Sequence, residues 1–330
     1  MDDKTVKRYF EENARQWLRD AYEKNDYTYP VGQHRSRIVM NILMERFGSQ
    51  NLNLLDIGCG GGDLCFLEAE AGHQATGIDQ SEAMIKNADE RRRALPAEVR
   101  SRLKFARADL RTLSNELTLG TYDAVTAMGV IYYLPEDDAL FSCARDLLKP
   151  GGLFVVSFRN RLFNMVSISD HTVKEIESGA APELISEIEE LYHPIPQESV
   201  TLFIENLKQA VRQIPGDARQ SVDESKSPAT RDIGKTASDY SFNIEGRQHT
   251  PRQLTAEAAR FGFTNTGYYG VHPHLLVPKL NKRLTPQVFN QLSDCLCAFE
   301  SLPISLIWSS QFIGVFEKGH PKKQGKRSKG

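Results

Sequence analysis

A short apolar run, Asn53-Leu54-Leu55-Asp56-Ile57, ends in Gly58-Cys59-Gly60-Gly61-Gly62. Glycines where a strand turns into a helix let the backbone bend sharply and approach a ligand closely, and the helix that follows presents free N–H groups. The dinucleotide spacing fails, because the third glycine counted from Gly58 would fall on Asp63. No Gly-Lys-Ser/Thr follows, which removes the phosphate-binding loop as well. Asp56 places negative charge beside the loop, and this suits a cationic or amine-bearing ligand. Asp79 lies 23 positions on, at the end of the next apolar segment. A carboxylate there accepts two hydrogen bonds from a ribose diol. Asp109 ends the following segment, placed to accept from the exocyclic amine of a base. Three acidic residues at three successive strand ends describe a pocket for a nucleoside with an amino-acid tail.

The elements that must hold these residues alternate. Strands are expected at 53–57, Gln74–Asp79, Arg102–Ala108, Tyr122–Met128 and Leu153–Phe158, with helices at Asp63–Ala71, Ser81–Leu95 and Asp137–Leu148 between them. This rhythm implies right-handed βαβ crossovers and a parallel sheet. Two amphipathic helices precede it, over about 3–24 and 33–47. After residue 160 the rhythm breaks. Residues 161–215 read as helical and 216–240 as a polar surface loop. Thr250–Phe261 is a capped helix, Thr264–Tyr269 a strand, 279–301 helical and Ser309–Glu317 a last strand.

The ordered motifs resemble the class I S-adenosylmethionine-dependent methyltransferases. LLDIGCGGG is similar to the family's first motif, GIDQS to its second, ARADL to its acidic adenine motif, YDAVTAMGVIYYL to its fourth strand and LLKPGGLFVVSF to its fifth, all within 52–158. The resemblance implies an α/β, Rossmann-like, mostly parallel seven-stranded sheet with an antiparallel final strand. It implies S-adenosylmethionine as cofactor and S-adenosylhomocysteine as product. Carried over residue by residue, Gly58, Gly60 and Gly62 would line the methionine part, with Asp56 beside its amino group or ordering a water there. Asp79 would hold the ribose, Gln80 and Met84 would lie beside the adenine, and Asp109 and Leu110 would meet its edge. Met128 and Gly129 would line the site near the sulfonium. For Met84 and Met128, core packing is the competing expectation.

Methyl transfer from a sulfonium is an in-line displacement whose leaving group is already good, so geometry and desolvation dominate. A base is needed where the nucleophile is a hydroxyl. His249 and His193 lie in the region expected to cover the acceptor and are the candidate bases, with helix capping or a polar contact as the alternative role of His249. Tyr132 and Tyr133 stand where many small-molecule relatives carry an acidic residue and a histidine, and are candidates to touch acceptor or cofactor. Arg159, Asn160 and Arg161 follow the fifth strand, where α/β sites lie, and suit an anionic group. Aromatic residues of the first helix and the turn after it, Tyr9, Phe10, Trp17 and Tyr29, would form a lid. His272 and His274 have a metal-like spacing but no evident third ligand, so no metal is expected.

Composition agrees with a small acceptor. The 330 residues carry 41 Lys/Arg against 43 Asp/Glu, a net charge of −2, which argues against wrapping of nucleic acid phosphate. No run approaches the roughly 20 apolar residues of a membrane span, and the charged N-terminal stretch has no apolar signal segment. Five cysteines without a CxxC pair favour reduced, cytoplasmic surroundings. The expected organisation is a helical lid over 1–48, a cofactor core over 49–160, a helical acceptor cap over 161–245, the rest of the fold over 246–319 with a helical insertion at about 275–308, and a basic disordered tail over 320–330. The expected activity is methyl transfer to a small or glycan-like molecule at oxygen. A protein or RNA methyltransferase and a non-catalytic cofactor-binding module are the alternatives.

Overall fold

A computed structural model describes residues 3–22, 29–110, 112–113, 117–213, 246–278 and 284–320. The expected polar loop at 216–240 and nearly all of the basic tail lie outside the described residues, as does the side chain of Trp17. Among the described residues the sheet has seven strands in the order β3-β2-β1-β4-β5-β7-β6. They are β1 Asn53–Ile57, β2 Gln74–Asp79, β3 Leu103–Arg107, β4 Tyr122–Ala127, β5 Leu148–Arg159, β6 Phe263–Pro273 and β7 Ser309–Lys318. Only β7 runs against its neighbours, β5 and β6. The Rossmann-like expectation therefore holds, including the reversed last strand.

Period-two alternation builds a core on each face. Leu55, Val125, Phe154, Val156 and Phe158 point to one side with Phe141 and Phe316. Leu54, Ala124, Leu153 and Val155 point to the other, under Ile38, Val39, Ile42 and Leu43 of α2, Val31–Phe47. β5 starts earlier than expected. The Lys149-Pro-Gly-Gly152 segment stays in the strand, with a register shift against β4 between Tyr122 and Ala124.

α3, Asp63–Glu70, leaves the glycine loop. α4, Glu82–Arg93, is capped by Ser81, whose hydroxyl accepts from the Met84 N–H at 3.2 Å. The first helix, α1 (Asp3–Tyr22), lies on α4 through Glu11, whose carboxylate accepts from the N–H groups of Glu82 and Ala83. Those donors have no partner within the helix, and an acid beside them also meets the positive end of the helix dipole. After α5 (Ala97–Ser101) and α6 (Asp138–Leu147), the first insertion supplies α7 Phe163–Ser167, α8 Asp170–Glu177, α9 Ala181–Leu191 and α10 Gln197–Gln213. Then come α11 Pro251–Arg260, α12 Pro286–Leu296 and α13 Ser305–Trp308. The two insertions are far apart in sequence but share one apolar cluster. Leu296, Phe299, Ile304 and Ile307 of the second pack with Val166, Ile188, Leu191 and Phe203 of the first.

Candidate active site

The glycine loop turns between β1 and α3 with Gly58, Gly60 and Gly62 all at positive φ. At Gly58, φ is 72°, and a Cβ would stand 2.3 Å from Val130 Cγ2, so only glycine fits. The Gly60 N–H donates to Asp79 Oδ2 at 3.0 Å, and the Ser81 N–H donates to Oδ1 at 2.8 Å. This ties the loop to the end of β2. Burial raises the Asp79 carboxyl above its ordinary range, against the pull of those N–H groups. Asp56 is 3% exposed, and its Oδ1 accepts from the Thr126 hydroxyl at 2.7 Å. Burial pushes it up to about 7, opposed by the Thr126 bond and Arg35 and reinforced by Asp79.

The lid helix lies on this loop. Leu18 reaches the α-carbon face of Gly61, and the buried Tyr22 hydroxyl lies among Arg35, Asp63, Asp56 and Cys59, its pKa raised by burial. Phe10 meets Tyr133 edge-on at 5.5 Å. Gln80 and Asp109 are half-buried at the ends of β2 and β3, as expected, and Leu110 packs against the core. Met84 is 1% exposed, and Met128 belongs to the core under α2, so packing accounts for both.

Arg35 of α2 was not singled out by sequence reasoning. It is 3% exposed, Nη1 donates to Ser157 Oγ at 3.3 Å, and its buried Nε has no hydrogen-bond partner. A Cβ at Gly129 would lie 2.8 Å from Arg35 Nη1 and 3.0 Å from the Tyr132 hydroxyl, so the glycine and the cation share one place. Ser157 Oγ also accepts from the Gly129 N–H at 2.8 Å. The signal was present in the sequence: Arg35 stands three and four positions before Ile38 and Val39, on the apolar stripe of the helix.

At the carboxyl ends of β4 and β5 the acceptor candidates separate. The capping role belongs to Thr250, whose hydroxyl accepts from Gln253 at the start of α11. His249 instead bonds Asp137: its Nε2 lies 3.0 Å from Asp137 Oδ2. Arg247 Nη2 donates to Asp137 Oδ1. Burial alone would raise the Asp137 carboxyl, but His249 and Arg247 outweigh it and hold the group below the ordinary range. An ionised carboxylate only accepts, so Nε2 carries the proton. Arg247 Nη2, 3.0 Å from that nitrogen, then serves the carboxylate and not the ring. His249 Nδ1 is left buried without a hydrogen-bond partner. Asp137, Arg247, Gln248 and His249 border a cavity of about 360 Å³.

Arg159 lies over the Tyr132 ring at 5.1 Å, and no carboxylate among the described residues pairs with it. Its two neighbours are spent on the fold, against expectation. The Asn160 amide donates to Leu306 O and Ser309 O and accepts from the Leu162 N–H, so it joins the insertion to β5. Arg161 forks onto Glu175 of α8, with Nη2 to Oε2 at 2.6 Å. His193 is exposed after α9 and shares no hydrogen bond with the His249 cluster among the described residues. Asp137 was read only as a helix start; its place after the fourth strand was the available signal.

A methyltransferase domain family matches residues 55–154. Ubiquinone biosynthesis O-methyltransferases are similar: that of Bordetella avium (strain 197N) is 35% identical over 120 residues, 36% of this chain and 48% of that protein. That of Pseudomonas aeruginosa (strain LESB58) is 31% identical over 122 residues, 37% of this chain and 50% of that protein. The chain thus spans about half the length of the curated relatives it matches. Among solved structures, a magnesium protoporphyrin IX methyltransferase from Synechocystis PCC 6803 aligns with a TM-score of 0.53 at 16% identity, covering 96% of this chain and 100% of that one. The [4+2]-cyclase SpnF aligns with a TM-score of 0.52 at 15% identity, covering 96% of each. These two likenesses concern the fold. Among the described residues, no helix is long and apolar enough to cross a membrane. The ordered motifs, the strand order and the match of residues 55–154 to a methyltransferase domain together support a class I S-adenosylmethionine-dependent methyltransferase.

Proposed function

We propose that the chain transfers a methyl group from S-adenosylmethionine to a hydroxyl oxygen of a small-molecule acceptor and releases S-adenosylhomocysteine. Its residues fit that cofactor. Gly58 has no Cβ and so lets the loop turn close to Val130, Asp79 stands at the end of β2 with its carboxyl tied to the loop N–H groups, and Arg35 has a buried donor without a partner. When bound, the cofactor supplies a methyl group on a sulfonium. Asp79 holds the ribose hydroxyls, Arg35 takes the amino-acid carboxylate, Asp56 faces the ammonium group, and Gln80, Asp109 and Leu110 border the adenine. The lid, through Tyr22 and Phe10, excludes water, which strengthens each of these contacts.

His249 is the general base. Asp137 fixes its Nε2–H tautomer and so leaves the Nδ1 lone pair to take the hydroxyl proton. This pair is the observation that carries the reading; the O-methyltransferase relatives support it. Arg159, with Tyr132 and Tyr133 beside it, receives an anionic group of the acceptor. The two insertions, joined through Phe299 and Phe203, form the acceptor cap. A protein or RNA acceptor would rest on the basic tail alone.

The test is turnover of the full chain on a panel of hydroxylated aromatic and aliphatic acids, followed by release of the demethylated cofactor. Asp137→Asn removes the negative charge that favours the Nε2–H tautomer and offers an amide donor in its place. It should lower kcat by about 10²–10⁴-fold, the range of general-base catalysis, with cofactor affinity unchanged. An unaltered kcat on a turned-over acceptor would rule out His249 as the base.

A further inference from the structure

Away from the glycine loop, three side chains of different ligand chemistry converge between α2 and the second insertion. They are His34 near the start of α2, Cys297 in the 3₁₀ turn after α12, and Glu300 at the end of that turn. Their ligand atoms all lie within 4.8 Å of one another. His34 Nε2 is 3.1 Å from Glu300 Oε2 and 3.6 Å from Cys297 Sγ. We propose that His34, Cys297 and Glu300 form a binding site for a zinc-like divalent transition metal.

The two separations from His34 Nε2 are close to those of tetrahedral coordination. With Zn–N and Zn–O of about 2.0–2.1 Å and Zn–S of about 2.3 Å, the N···O and N···S edges of a tetrahedron are about 3.3 and 3.6 Å. Imidazole and thiolate together select zinc-like metals over magnesium or calcium, which take oxygen ligands. The other ring nitrogen of His34 is already held, with Nδ1 3.0 Å from the Tyr29 hydroxyl. A metal-bound histidine is oriented by such a partner on its second nitrogen. Arg37 forks onto the Glu300 carboxylate, with Nη1 donating to Oε1 at 2.9 Å and Nη2 to Oε2 at 2.5 Å, so a metal at Oε2 would share that oxygen with Arg37 while Oε1 keeps its bond. On binding, His34 adopts the Nδ1–H tautomer, donating to the Tyr29 hydroxyl and freeing the Nε2 lone pair, and the Cys297 S–H bond gives way to an S–metal bond while its proton passes to solvent. The thiolate and the carboxylate then balance the two positive charges, and a water completes the tetrahedron. The His272-Pro-His274 pair, despite its spacing, is not the convergent set. His272 Nδ1 is bonded to the Ser310 hydroxyl, 3.0 Å away, and the His272 ring stacks on Tyr29.

The site would tie the second insertion to the helix that carries Arg35, one residue after His34. It is therefore a clasp for the cap and takes no part in the chemistry.

Full-length protein without an affinity tag, stripped with a chelator and titrated with Co²⁺, tests the proposal. The expected result is a thiolate-to-cobalt charge-transfer absorption that saturates at one equivalent, is displaced by Zn²⁺ and is accompanied by a rise in Tm. Cys297→Ser should abolish the band and His34→Asn weaken binding, while Cys295→Ser leaves it, because the Cys295 thiol bonds the Gln291 carbonyl within its own helix. Absence of the band in folded wild-type protein would overturn the proposal, even where the variants fail to fold. So would a band that persists in Cys297→Ser.

Discussion

Replacing Asp56 by asparagine isolates a buried ionisation that the glycine loop imposes. The carboxyl is 3% exposed and titrates near 7 instead of 3.8, because burial outweighs the help of the Thr126 hydroxyl and Arg35. A raised carboxyl binds its proton more tightly in the folded chain than in the unfolded one. Its stabilising contribution is therefore complete below the unfolded pKa, declines as pH rises towards 7 and is lost above it. A shift of about 3 units at about 1.36 kcal/mol each makes the loss about 4 kcal/mol. Asparagine keeps an oxygen for Thr126 and removes the titration. Urea unfolding of both proteins between about pH 5 and about pH 8 should show the wild-type advantage over Asp56→Asn shrinking by roughly 2–3 kcal/mol, the rest of the loss lying below pH 5. The change with pH is the diagnostic, since the amide also introduces donors of its own. A cation bound beside Asp56 favours the ionised form, so wild-type affinity for S-adenosylmethionine should rise with pH up to about 7, and the variant's should not. Parallel stability curves for the two proteins would refute the assignment of a neutral, buried Asp56 in the free chain.

Three further outcomes follow from the same geometry. Gly58→Ala incurs about 1–2 kcal/mol for its positive-φ backbone and about 1–3 kcal/mol for displacing Val130, whereas Gly179→Ala, at φ 76° with nothing within 4 Å, incurs only the first; denaturation midpoints should separate them accordingly. Glu68 is fully buried, neither carboxyl oxygen has a partner, and burial raises its pKa well above the ordinary value. Glu68→Met should raise stability at neutral pH by about 1–3 kcal/mol in urea unfolding, and a loss instead would show that the carboxyl is used. Arg159→Ala should raise KM for an acidic acceptor with little change in Tm. Arg161→Ala should do the reverse, because it leaves the buried Glu175 carboxylate without its cation.

The cofactor half was legible because it is local. Gly58 to Gly62, Asp79 and Asp109 are each fixed by their own strand end, so motif and position coincide, and the sheet order follows from the same succession of strands and helices. The acceptor side was not legible to the same degree because it is assembled across long separations. His249 meets Asp137, 112 residues earlier, and sequence spacing carries no trace of that meeting. Arg159, Asn160 and Arg161 looked equivalent as consecutive polar residues. Pairing of β5 with β7 consumes Asn160, and the packing of α8 consumes Arg161, so only Arg159 retains a charge without a carboxylate partner among the described residues. Arg35 was hidden for the opposite reason: an amphipathic helix explains its own apolar stripe so well that a charge on that stripe is easily passed over. A buried cation has to be repaid by a partner, and the partners of Arg35, Ser157 and the nearby Asp56, leave its Nε unmatched. In the proposed cofactor site, that residual donor is what would receive a ligand's carboxylate.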